Sequence, residues 1–387
     1  MTEVDSYGLS GYGEMIADTV RMSAYEQALR QAIEPDSVVL DIGTGTGILA
    51  FLACQLGARR VYAIEPGDVI QVAREIAAAN GFADRIEFIQ DLSHRVSLPE
   101  RADVMVSDLR GVLPPFRRHL PSIIDARARL LAAEGTMIPR CDALWAAVVE
   151  APELYAELTG PWNDGRYGLD MGAARRFVTH AWRKARVKPE QLLTEPQRWA
   201  TLDYATVKSS DLRGQLQGTA RRTGTAHGLV VWFETLLAEG VSFSNAPGEP
   251  ELLYGSAFFP WPEAITLAAG DTLSVSLQAD LLDEDYIWRW DCTVLGSGDP
   301  EQVKAEFHQS TFYGLPLTLE QMGKREASHL PVLDTDGQID QMILSLMDGQ
   351  TSLAAIAERI AERFPHRFTR KRDALNRVSR LSLKYSR

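Results

Sequence analysis

The sequence predicts an α/β protein that opens with a doubly wound, Rossmann-like parallel sheet and closes with a small helical module. Two observations carry this. Residues 38–66, VVLDIGTGTGILAFLACQLGARRVYAIEP, read as strand, glycine turn, helix and second strand. After about residue 330 the pattern changes to three amphipathic stretches of helical period.

The elements follow in order. VVLDI is a continuous apolar run, as expected of a strand covered on both faces. Gly43, Gly45 and Gly47 form the turn, ILAFLACQLGA is a helix ending at Gly57, and RRVYAIEP is the next strand, with Glu65 at its carboxyl end. VIQVAREIAAANGF, 69–82, is a helix stopped by Asn-Gly, and RIEFIQ, 85–90, is a strand. Asp91 to His94 follow it, with Ser93 and His94 placed where an adenine would lie. ADVMVSD is the fourth strand, and SDLRGVLPPFRRHL, 107–120, leaves its carboxyl end, where doubly wound sheets bind ligands.

Composition bounds the function. The chain has 387 residues, enough for two or three domains, and 45% hydrophobic with 24% charged residues is ordinary for a globular protein. A net charge of −12 argues against a general nucleic-acid or membrane-surface binder. Eight Lys/Arg against the single acid Asp373 do crowd residues 365–387, as a solvated basic helix or a docking surface. The three cysteines, Cys54, Cys141 and Cys292, are far apart and lack metal-ligand spacing, which implies a reducing, cytoplasmic setting and no metal. No apolar run reaches 18 residues, and MTEVDSYGLS has neither a basic region nor an apolar core, so neither a spanning helix nor a signal peptide is expected.

The glycine pattern selects a cofactor. Dinucleotide sites favour GxGxxG with a pyrophosphate at the helix start. Here the pattern is D-x-G-x-G-x-G, with Asp41 at the strand end. A carboxylate there repels a pyrophosphate and suits a cationic amino group. Glu65, about 20 positions after the glycines, suits the two hydroxyls of a ribose. S-adenosylmethionine (SAM) carries an ammonium, a sulfonium and a ribose, and is the predicted cofactor.

Beyond the cofactor motif, the sequence resembles the protein arginine methyltransferases. DSYGLSGYGEMIADTVRMSAYEQAL, 5–29, resembles the family's N-terminal segment, in which Arg21 matches the residue that pairs with the SAM carboxylate and Met15 one near the sulfonium. PWNDGRYGLDMGAARRFVTHAWRKARV, 161–187, resembles the helical dimerisation arm. YATVKSSDL, HGLVVWFETLL and AGDTLSVSLQADL resemble strands of its β-barrel domain. The resemblance implies a class I methyltransferase domain over 1–140, a barrel substrate domain over 141–311 and a homodimer through the arm.

The departures bear on the acceptor. The family's loop carries two glutamates that clamp a guanidinium. In this sequence the first position falls on Asp108 and the second on Arg117. The Thr-His-Trp signature falls on Leu252, Leu253 and Tyr254, and of the N-terminal tyrosines Tyr7 remains. Asp108 reads either as a general base or as a cap for the following turn. Arg117 reads either as a pocket cation suited to an anionic group or as a solvated side chain. Tyr7, Tyr12 and Tyr254 are candidates to line the pocket, and His119 to titrate near neutrality.

After about residue 311 the resemblance ends. GLPLTLEQMGKREASHL has linker composition, and 325–387 reads as a helical or winged-helix-like module. QIDQMILSLMDG is a helix stopped by Gly349, Thr351 or Ser352 caps SLAAIAERIAERF, and DALNRVSRLSLKYSR is the third helix. The DG-x-x-SL-x-x-IA…FP pattern is similar to the PqqD-like peptide-carrier domains. The alternative is a helical extension packed on the barrel.

The leading expectation is therefore a SAM-dependent methyltransferase acting on N or O of an acceptor other than a protein arginine, a small biosynthetic metabolite or a carrier-presented peptide. Arginine methylation and a SAM-binding scaffold without activity are the alternatives.

Overall fold

A computed structural model describes residues 8–163, 165–298 and 302–386. The chain divides into two compact units, Met1–Pro316 and Leu317–Arg387.

The first unit opens with helices α1 (Leu9–Ala17) and α2 (Thr19–Ala32). The parallel sheet follows: β1 (Val38–Ile42), α3 (Ile48–Gln55), β2 (Arg60–Ile64), α4 (Ile70–Ala79), β3 (Ile86–Ile89), β4 (Ala102–Ser107), α5 (His119–Arg129) and β5 (Leu131–Ile138). The strand order is β3-β2-β1-β4-β5. All five residues of β1 are buried, since it is sandwiched between β2 and β4 with helices on its faces. Gly57 closes α3 with φ +105°, and Ala58 N–H donates to Ala53 O at 3.0 Å, a turn that only a residue without Cβ makes without strain.

Two antiparallel sheets follow in the same unit and form a barrel-like body. Its elements are β6 (Cys141–Val149), α6 (Pro152–Asn163), α7 (Arg175–Thr179), β7 (Arg183–Ala185), β8 (Gln197–Asp203), β9 (Leu212–Thr219), β10 (Gly224–Ala238), β11 (Val241–Ser244), β12 (Ser256–Leu267), β13 (Thr272–Leu282), β14 (Asp285–Leu295) and β15 (Val303–Ser310). One sheet runs β7-β12-β10-β6-β8 with β11 on β10; the other runs β15-β14-β13-β9. Alternation along β14 turns Tyr286, Trp288, Trp290, Cys292 and Val294 inward, where Trp288 and Trp290 pack on Phe259 of β12.

Residues 161–187 do not form one continuous helix. They comprise the end of α6, short helical turns, α7 and β7. Tyr167, Leu169 and Met171 are exposed. Trp182 belongs to the barrel-like body instead, packed against its core beside Phe259.

The second unit contains α8 (Leu319–Gly323), α9 (Thr335–Ser345), α10 (Leu353–Arg363) and α11 (Lys371–Tyr385). No strand occurs among its described residues. Ile339 and Ile343, Ile356 and Ile360, and Ala374, Val378 and Leu381 repeat every three or four residues and meet in one core. Ser352, rather than Thr351, caps α10, accepting from Ala355 N–H at 3.3 Å. Arg377 ties α11 to α9 through Asp336 and Asp340 at 2.6 and 2.7 Å. Among the described residues no helix is long and apolar enough to cross a membrane.

Candidate active site

The glycine turn after β1 is built for close approach. Gly43 and Gly45 have φ of +74° and +54°. A Cβ on Gly43 would lie 2.2 Å from Leu109 of the β4 loop, and one on Gly45 would lie 2.4 Å from the Tyr12 ring of α1. Both positions therefore require glycine for conformation and for space. Gly47, with φ +90°, leads into α3.

Two acids flank this turn. Asp41 is buried and accepts from Thr44 Oγ1 at 2.6 Å; burial pushes its carboxyl up to about 7. Glu65 is fixed at the end of β2 by the amides of Gly45 and Gly67, at 3.2 and 2.8 Å, and burial raises it as well. Two amides leave lone pairs on Glu65 for further donors. A cation against Asp41 would return it to its charged form. These two acceptors fit a ligand carrying an amino group and vicinal hydroxyls. Met15 is half-buried in α1, and its carbonyl accepts from Arg21 Nη1 at 3.1 Å. Ser93 is buried and His94 exposed in the 3-10 turn after β3. Tyr7 lies outside the described residues.

Beside the turn lies a cavity of about 110 Å³ lined by Glu14, Arg21, Asp108, Arg110, Lys184 and Tyr254, among others. Asp108 follows β4, and its side chain is 7% exposed. Its Oδ2 accepts from Arg21 Nε at 2.6 Å and from Tyr254 Oη at 2.5 Å, and its Oδ1 from Arg110 Nε at 3.1 Å. Burial alone would raise this carboxyl, but the two guanidiniums outweigh it and hold it at about 2. Asp108 is thus a fixed anion at neutral pH and a weak base, which differs from the base role read from the sequence. Asp18 sets the frame: it caps α2 by accepting from Arg21 N–H at 3.1 Å and takes Leu253 N–H at 2.9 Å, pinning the turn that presents Tyr254.

Arg117 does not line the cavity; Arg110 does. Arg117 has φ +44°, and its guanidinium lies over the Phe116 ring, 5.3 Å from the centroid. The loop turns back on itself, because Gly111 lets Phe116 pack on its Cα and His119 Nδ1 donates to Pro114 O at 2.9 Å. Burial lowers the His119 imidazole's pKa and outweighs the hydrogen bond to Pro114 O, which acts in the opposite sense, so the structure favours the neutral ring.

Arg110 was visible in the loop but not distinguishable there from its two neighbours. Its partners come from elsewhere: Asp142 of β6 at 3.0 Å, Thr235 of β10 at 2.8 Å and Tyr25 of α2 at 2.6 Å. Asp142 also accepts from Tyr204 Oη at 2.6 Å. Lys184 of β7 also escaped the sequence reading. Its stem lies over Gly255, its ammonium donates to Leu253 O, and burial lowers its pKa.

Comparison with known proteins agrees with this architecture. A family model described as the arginine methyltransferase oligomerization subdomain matches residues 142–292, and one for ribosomal protein L11 methyltransferase matches 18–138. Human protein arginine N-methyltransferase 2 is 33% identical over 302 residues, which is 73% of this chain and 69% of that protein. The chain belongs to the protein arginine methyltransferase family. Protein arginine N-methyltransferase 1 of Saccharomyces cerevisiae is 29% identical over 283 residues, covering 70% of this chain and 80% of that one. Among solved structures, the Trypanosoma brucei PRMT1 enzyme-prozyme heterotetrameric complex with AdoHcy superposes with a TM-score of 0.71 at 24% identity. That match covers 79% of this chain and 98% of the other. Arabidopsis thaliana protein arginine methyltransferase 10 gives 0.69 at 24% identity, covering 78% and 97%. These likenesses establish the fold: a Rossmann-like domain joined to a barrel-like domain. The chain is a SAM-dependent methyltransferase by family.

Proposed function

We propose that this member of the arginine methyltransferase family transfers the SAM methyl group to N or O of an acceptor that is not a guanidinium. The acceptor carries a negative group and is a small biosynthetic metabolite or a carrier-presented peptide. The observation that carries this reading is the state of Asp108: both its oxygens already bind arginines of its own chain. A guanidinium recognised bidentately needs two free carboxylate oxygens. In the cavity lining Arg21, Arg110 and Lys184 stand against Asp108 and Glu14, an excess of one positive charge that favours an anion.

In this reading Asp41, Gly43, Gly45, Gly47, Glu65, Met15 and Arg21 hold SAM, with Ser93 and His94 near its base. Bound SAM supplies an electrophilic methyl on a good leaving group. The chain supplies placement: Glu65 takes hydroxyl donors, and Asp41 faces a cation. Asp108 orients the acceptor's N–H or O–H and, at about 2, does not remove a proton at neutral pH. Lys184 holds the acceptor's anion. The exposed residues Tyr167, Leu169 and Met171 form a homodimer contact.

The test is methyl transfer from labelled SAM, read by mass spectrometry, with an arginine-rich peptide against a set of anionic amine and hydroxyl metabolites. Methylation of an anionic metabolite with no methylarginine supports the reading. Robust dimethylarginine would establish the second reading, arginine methylation, which the names of the relatives favour.

A further inference from the structure

We infer that Arg110 is the specificity-determining residue of this cavity: anchored on β6 and β10, it occupies the face of Asp108 that a cationic acceptor would need. The inference rests on the acceptor reading above and assigns it to one side chain.

Arg110 is fully buried and is not a movable gate. Its side chain is 0% exposed, as is that of Asp142, its partner at 3.0 Å. Nε serves Asp108, Nη1 serves Asp142 and Thr235, and Nη2 serves Tyr25. The guanidinium also lies over the rings of Phe233 and Phe243, at 5.2 and 5.5 Å from their centroids. Moving it would strip a buried charge of its partners, which is strongly unfavourable. Asp108 therefore cannot exchange Arg110 for a ligand's cation. Arg21 is the other claimant, on Oδ2, and Tyr254 shares that oxygen. With Arg21 and Tyr254 filling Oδ2, a cation can reach Asp108 only through Oδ1, the oxygen that Arg110 holds. Without Arg110, Oδ1 of Asp108 would be open toward a cavity that also contains Glu14, so a cation could meet one carboxylate oxygen of each residue.

Arg110 is a positioning residue for Asp108, so the test needs a readout that loss of packing alone would not move. The double substitution Arg110→Met with Asp142→Asn removes both buried charges together, and the new amide oxygen still accepts from the Tyr204 hydroxyl. Arg110→Lys is the second variant: it keeps a cation beside Asp142 while giving up the Nε contact to Asp108. Retained SAM affinity and far-UV dichroism show that each variant is folded. The probe is a peptide containing one arginine, titrated calorimetrically into protein saturated with S-adenosylhomocysteine. Carbon-detected NMR follows the Asp108 carboxyl, whose neighbours are Arg21, Tyr25, Tyr254 and, in wild type, Arg110. The double variant is expected to bind the peptide at least tenfold tighter than wild type and Arg110→Lys at least threefold tighter, with Asp108 titrating higher in both. Unchanged peptide affinity in folded variants whose Asp108 titration has moved would overturn Arg110's role and leave the acceptor reading standing. Tight peptide binding by the wild type would overturn the acceptor reading itself, and the inference with it.

Discussion

Nε of Arg21 lies 2.6 Å from Oδ2 of Asp108, joining the helix that closes over the cofactor sheet to the loop that leaves its fourth strand. Both side chains are nearly buried, so the link is strong in both directions: it keeps the arginine charged and the carboxylate ionised.

The first prediction follows from Asp108. Its folded pKa is about 2 against an ordinary 3.8. A depressed carboxyl contributes stability that is fully present above pH 4 and is lost as pH falls toward 2. The contribution is about 2 kcal/mol. Urea midpoints measured from pH 6 to 2 should fall less steeply for Asp108→Asn than for wild type. Parallel curves would show that the carboxylate is not held this way.

Asp41 has the opposite sign. Its folded pKa is raised to about 7, so folding favours the protonated form and stability falls as pH rises from about 4 to 7. Asp41→Asn should therefore melt higher than wild type at pH 8, by roughly 2–4 kcal/mol in stability. If Asp41 faces the SAM ammonium, wild-type SAM affinity should weaken as pH drops below 7, and calorimetry on Asp41→Asn should give a weak, pH-flat affinity.

For Glu65, alanine removes the acceptor that two backbone amides hold at the end of β2. SAM affinity should fall by about 2–3 kcal/mol, the cost of a lost hydrogen bond to a charged group. Calorimetric affinity equal to wild type would place the ribose elsewhere.

The dimer contact is tested on Tyr167, Leu169 and Met171, all exposed. Changing the three to serine should give monomer in light scattering with the fold intact. Deleting 163–183 is the poorer experiment, because it removes Thr179, whose carbonyl accepts from Gln309 at 2.6 Å, and Trp182 of the core.

In the helical unit, Ile360 is completely buried between its two neighbours' apolar faces. Ile360→Ala should destabilise that unit by about 2–4 kcal/mol. Hydrogen exchange across α9, α10 and α11 should accelerate together.

Local signals made much of this legible in advance. The glycine turn, the strand on either side of it and the acid ending the second strand are all contained within 29 consecutive residues, 38–66. The chemistry of a βαβ turn is local, so spacing alone identifies it. The same holds for the helices after residue 330, whose apolar repeat and caps lie within each segment.

The loop after β4 was different. Three arginines stand within nine residues there, and their chemical identity is the same. Which one meets Asp108 depends on Tyr25, Asp142 and Thr235, which lie 85, 32 and 125 positions from Arg110. The family resemblance suggested Arg117, but a left-handed turn lays that side chain on Phe116. By itself, the sequence determined the glycine turn, the order of elements around it and the family. Only the tertiary structure decided which charges line the cavity around Asp108, because a buried arginine goes where distant partners can compensate its desolvation.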